Sequence, residues 1–163
     1  MKKLALFAPT VALAAACSGS AVTMQPGQWE HTMQFTSIEA PGVPEAQMTM
    51  MRQQMGQPRT ESSCLTPEQA AHPTGTMLNP GGGQNCQFSE NVFAAGTIRV
   101  HGTCQQPGGT SAQMNMDGTY TATTMNVTLS SEMTMPPGMP GPRSLRMSGT
   151  MTGRRTGDCP AGR

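Results

Sequence analysis

Charged and aromatic residues are both scarce in this chain. Of 163 residues, 12% are charged and 4% aromatic, and beyond residue 16 leucine occurs only at Leu65, Leu78, Leu129 and Leu145. With a formal net charge of +1 and no basic run, the electrostatic footprint of nucleic-acid binding is missing, and no acidic tail points to a basic partner. The apolar run Leu4 to Ala16 is thirteen residues long. That falls short of the roughly 20 residues a membrane-spanning helix requires. The usual parts of an enzyme are also lacking. His31, His72 and His101 are scattered with no local triad or metal-ligand spacing, and Glu30 beside Trp29 reads as a solvated strand glutamate. The expectation is a protein that is not an enzyme and carries no cofactor.

Methionine takes the place of the missing leucine: there are 16 Met, alongside 19 Gly and 14 Pro. The length leaves room for one domain with a modest core. Met1-Lys2-Lys3 followed by the apolar run has the form of an export signal. Next comes Ala14-Ala15-Ala16-Cys17-Ser18, which resembles the lipobox of bacterial lipoproteins, where small residues precede a cysteine that is diacylated. Ala14 stands where that motif usually has Leu, so ordinary cleavage after Ala16 or Ala21 is the alternative. Cysteine arithmetic favours lipidation at Cys17: five is odd for an exported chain, and Cys17 on lipid leaves four to pair. The resulting division is a removable signal at 1–16, a lipidated N-terminus and tether at 17–25, and a β-domain at 26–160. The location implied is the periplasmic side of the cell envelope, held to the membrane by lipid, with Ser18 after the cysteine pointing to the outer membrane.

Period-two alternation marks the strands. In the first, Gln28 to Ile38, Trp29 and Phe35 point inward. Pro44 to Met55 reads as a helix with Met48, Met51 and Met55 on one face, and Arg59 to Cys64 as a short strand. Thr66-Pro67-Glu68-Gln69 then has the form of a capping box over a helical turn or two. Pro80 to Asn85 is loop by composition. From Cys86 to Cys104 the pattern is a hairpin with Cys86, Phe88 and Val92 on the apolar side. A three-residue loop at Ala94-Ala95-Gly96 would set Phe88 opposite Gly102 and Cys86 opposite Cys104. Ala112, Met114 and Met116 share a face, Asp117-Gly118 is a turn signal, and Met125, Val127 and Leu129 are in phase, with a bulge near Thr123-Thr124 needed to reconcile Tyr120. The last strand carries Leu145, Met147, Gly149, Met151 and Gly153. These elements predict an all-β fold: a single antiparallel meander of about seven strands curled into a partial barrel or sandwich, with one short helix and two disulfides.

In an oxidising compartment Cys64, Cys86, Cys104 and Cys159 are expected as two bridges, with three connectivities open. The hairpin register allows Cys86 with Cys104, leaving Cys64 with Cys159. The sequential pairing, Cys64 with Cys86 and Cys104 with Cys159, would staple the Gly- and Pro-rich excursion and the tail, and is favoured on that ground.

Three fragments, Pro26-Gly27-Gln28-Trp29-Glu30, Cys64-Leu65-Thr66-Pro67-Glu68-Gln69-Ala70 and Gly153-Arg154-Arg155-Thr156-Gly157-Asp158-Cys159, resemble in order an uncharacterised bacterial envelope family, the domain of unknown function 3617. The resemblance runs from Pro26 to Cys159, departs at Gln28 where the family has Leu, and implies location and architecture without an activity. Function is therefore expected to be binding, of an apolar ligand or of an envelope partner. The alternative is a Cu(I) or Ag(I) site built from the thioethers of Met133, Met135 and Met139, with Met48 and Met50, because soft ligands suit those ions. Against it stands the ordinary use of methionine as an apolar filler.

Overall fold

The structure is a computed structural model that describes residues 22–74, 85–106, 108–138 and 141–160. The signal with Cys17, most of the Pro80–Asn85 loop and Met139 lie outside the described residues. Seven strands form one antiparallel sheet. They are β1 (Gly27–Glu39), β2 (Arg59–Leu65), β3 (Asn85–Ala94), β4 (Thr97–Gln105), β5 (Ser111–Tyr120), β6 (Thr124–Thr134) and β7 (Ser144–Gly157). Two helices, α1 (Glu45–Met55) and α2 (Pro67–Ala71), accompany them, one more than expected. The segment predicted as a helix at Pro44 and the capping box at Thr66 both became helices. In α2 the Thr66 side chain accepts from Gln69 N–H at 3.2 Å and Gln69 accepts from Thr66 N–H at 2.9 Å.

The strand order is β2-β1-β7-β6-β5-β4-β3. Only β3 to β7 form a continuous meander. The β1–β2 pair adds to the far side of β7, so the chain leaves the sheet at one edge and re-enters it at the other. Laid flat, six strand spacings would separate those edges by about 29 Å. Instead, Leu65 of edge strand β2 and Ile98 of β4 belong to one buried cluster, with Phe93 of edge strand β3 packed against it. The sheet is therefore one open layer curled towards a partial barrel, not a sandwich.

The concave face holds two apolar clusters. The larger centres on Trp29, Ile98, Val100, Met125 and Val127. A satellite under α1 gathers Ile38, Ala40, Met48 and Met147, with Met51 and Met55 packed against it, so the three methionines read on one helix face do share it. Residues Val22 to Gln25, expected as tether, join the fold: Met24 is buried, Gln25 N–H donates to Ala122 O at 2.8 Å, and Tyr120 OH donates to Val22 O at 3.2 Å.

Four expectations about register are corrected. The β3–β4 turn has two residues, Ala95 and Gly96, with φ of 50° and 77°. Positive φ at both positions is what a tight primed turn of right-handed twist requires. Cys86 nevertheless faces Cys104 and Phe88 faces Gly102, because a bulge between Phe88 and Glu90 restores the one-residue offset. That bulge reverses the alternation, so Phe93 pairs with buried Ile98 while Val92 lies opposite exposed Arg99 on the outer face. Asp117-Gly118 is not a turn. Both residues sit inside β5, where a Cβ on Gly118 would collide with the backbone of Asn126 and Val127. The chain turns instead after Tyr120, where Thr121 Oγ1 accepts from the backbone N–H groups of Thr123 and Thr124. No bulge is needed there, since Tyr120 pairs directly with Met125.

The disulfides are Cys64–Cys159 and Cys86–Cys104. The sequential pairing is thus overturned. Adjacent cross-strand positions already hold Cys86 against Cys104, and Cys64 of β2 lies two strands from the end of β7, next to which Cys159 emerges.

Candidate functional site

One cavity of about 170 Å³ opens on the concave side, between the two edges of the sheet. Its apolar walls are Met24, Trp29, Leu65, Phe93 and Met125, and Ser63, Gln69 and His31 supply polar atoms. The curl makes it, since β2 and β3 reach it from opposite edges. Trp29 is 1% exposed, and its indole N–H donates to Gln25 O at 3.0 Å, tying the entering segment across the end of the sheet.

His31 lies two residues further along β1 and shares the face of Trp29. The rings stack with centroids 6.1 Å apart and planes 13° from parallel. Beneath the imidazole is Gly153 of β7, where a Cβ would sit 3.0 Å from Nδ1 and 3.4 Å from Cε1. Glycine is what lets the ring lie this close to the sheet. Nδ1 is sealed from water and has no hydrogen-bond partner among the described residues. Burial pushes the imidazole below its ordinary value of 6.5, opposed by the carboxylate of Glu61 directly across on β2.

The other histidines are elsewhere. His72 caps the C-terminus of α2. His101 is on the outer face between two carboxylates, with Nδ1 3.3 Å from Glu90 and Nε2 3.0 Å from Asp117. Sequence reasoning missed that arrangement because it depends on the β3 bulge, which turns Glu90 towards His101. It also missed the cavity, although the period of β1 places His31 in phase with Trp29.

The remaining nominated residues separate. Glu30 is paired with Arg154, whose Nε and Nη2 donate at 3.0 and 2.8 Å, and Arg155 holds Asp158 in the tail while donating to Pro26 O at 2.8 Å. Met48 is 3% exposed beneath α1 and Met50 is 57% exposed on the other side of the same helix. Residues two apart share a strand face but diverge on a helix. Met133 packs against the satellite cluster with Met48, whereas Met135 accepts a weak hydrogen bond from Thr110 at 3.8 Å. Met48 and Met133 thus meet at one cluster to which Met50 and Met135 do not belong, and among the described residues no group of three or more His, Cys, Asp or Glu could hold a metal ion. No helix among them is long and apolar enough to cross a membrane.

A family model described as "Protein of unknown function (DUF3617)" matches residues 24–159. No curated protein and no solved structure matches.

Proposed function

The chain belongs to the DUF3617 family of proteins of unknown function, and on that premise we propose that it is a non-enzymatic cell-envelope domain that binds a small apolar ligand in the concave cavity. The observation that carries this reading is the cavity itself, walled by Met24, Trp29, Leu65, Phe93 and Met125. Such pockets, apolar with few polar groups, are the usual form of small-molecule sites. The outer face offers a protein partner little apolar surface. A row across six strands there reads Thr97, Thr119, Asn126, Thr152, Thr32 and Thr60, and the exposed large apolar residues among those described are Val22 and Met50. Trp29 is the single tryptophan and therefore reports on occupancy. Toluene titrated into the folded, oxidised chain is expected to change its fluorescence saturably. A merely linear response, equal to that of a free tryptophan derivative, would remove the reading.

Envelope location and lipid anchoring rest on the export signal and the lipobox-like stretch, and pairing of the four other cysteines leaves Cys17 available for acylation. Ser18 after it favours outer-membrane sorting. Cys17→Ala is expected to move the protein from the membrane fraction to the soluble periplasmic extract and to remove the lipid mass. Retention at the membrane with unchanged mass would show that no lipid is attached there.

A further inference from the structure

The dimensions and chemistry of the cavity narrow the ligand further, on the reading that the cavity is a binding site. We propose that it takes a ring-sized, uncharged apolar molecule bearing one oxygen acceptor, held by a hydrogen bond from Nε2–H of His31. Size comes first. An engineered cavity of about 150 Å³ with apolar walls holds one benzene, and this one measures about 170 Å³. Two aromatic side chains and two methionines in the wall suit a ring, since thioethers contact aromatic edges favourably.

Charge is excluded by what the wall lacks. None of the lining residues is Asp, Glu, Lys or Arg, so an ionic ligand would lie unpaired against apolar side chains. The polar groups have different roles. Oε1 of Gln69 is committed to the capping box at Thr66. His31 rests on Gly153 through its Nδ1–Cε1 edge, and of its two ring nitrogens only Nδ1 is both buried and without a partner among the described residues. A neutral imidazole carries one ring proton. On Nδ1 it would be a buried donor with no acceptor, which proteins avoid more strictly than a bare lone pair. The proton therefore sits on Nε2, and the histidine offers a ring N–H donor to the cavity it lines, beside the few polar atoms of Ser63 and Gln69. Its complement is a single hydroxyl, ether or carbonyl oxygen on a ring.

Phenol and toluene test this, because they differ only by OH against CH₃. Binding of each to the oxidised chain is followed by NMR at the Trp29 indole resonance, in the wild type and in His31→Leu. A net hydrogen bond predicts a phenol-to-toluene affinity ratio about fivefold higher in the wild type than in His31→Leu. In His31→Leu toluene binding should persist and phenol should fall below it. Retained toluene binding also shows that the variant keeps its cavity. Toluene binding to the wild type without measurable phenol binding overturns the proposal while leaving the cavity as an apolar site. A phenol-to-toluene ratio unchanged in His31→Leu overturns the assignment to His31. If neither compound binds the wild type, the reading of the cavity as a site falls, and this proposal with it.

Discussion

Replacing Cys64 and Cys159 together by serine should cost the protein about 4–5 kcal/mol, and replacing Cys86 and Cys104 about 3 kcal/mol. The difference follows from the chain each bridge closes, with separations of 95 and 18 residues. Loop-closure entropy removed from the unfolded chain grows with the logarithm of that length. Position acts in the same direction. The short bridge joins neighbours that the β3–β4 ladder already pairs, whereas the long one ties edge strand β2 to the tail beyond β7 past the end of β1, where Gln28 pairs with both Cys64 and Gly157. Denaturant unfolding of the two double variants, with the remaining bridge verified by mass, measures both losses. The reverse order, or an equal loss from each pair, would show that the long bridge does not restrain the unfolded chain in this way. A bridged peptide joining Cys64 to Cys86 would contradict the structure outright.

Trp29→Ala should cost about 3–5 kcal/mol, the range for removing a large aromatic from a core. Total stabilities are commonly about 5–15 kcal/mol, so the variant would be close to unfolding. Three features place the cost towards the upper end. The side chain is 1% exposed at the centre of the larger cluster. Its N–H is the partner of Gln25 O, which would lose that bond just where the entering segment crosses the sheet. The neighbouring space is already a cavity, so the void left by the indole would merge with it instead of collapsing. Chemical denaturation with Trp29→Phe as a control checks this, the control retaining most of the burial. A loss under about 1 kcal/mol for Trp29→Ala would mean that the cluster does not depend on Trp29.

Alternation of side chains determined a large part of this protein from the sequence alone. A strand with one buried face must repeat every two residues, so the pattern alone places Trp29, Phe35, Ala112, Met116, Met125, Val127, Met147 and Met151 in the interior, and they lie there, buried or packed against the core. Capping chemistry is equally local, and Thr66 and Gln69 found each other without help from the rest of the fold. Membership of the family was also visible in short ordered fragments, with the match covering residues 24–159.

Tertiary structure decided what depends on contacts between distant segments. Gly118 resembled a turn beside Asp117, but the approach of the β6 backbone is what demands a glycine there. The β3 bulge shifted one residue, and with it the facing of Val92, Phe93 and Glu90, because a strand has no local signal for an inserted residue when both alternatives offer apolar side chains. Cysteine pairing followed strand order, which the sequence does not state: β1 lies beside β7, and that neighbourhood brings Cys64 to Cys159 across 95 residues. The cavity likewise exists only because the sheet curls, bringing Leu65 and Phe93 from opposite edges around Trp29 and His31. Curvature is a property of seven strands together, set by twist and by glycines such as Gly149 and Gly153 where backbones and rings approach closely, and no single stretch of sequence carries it.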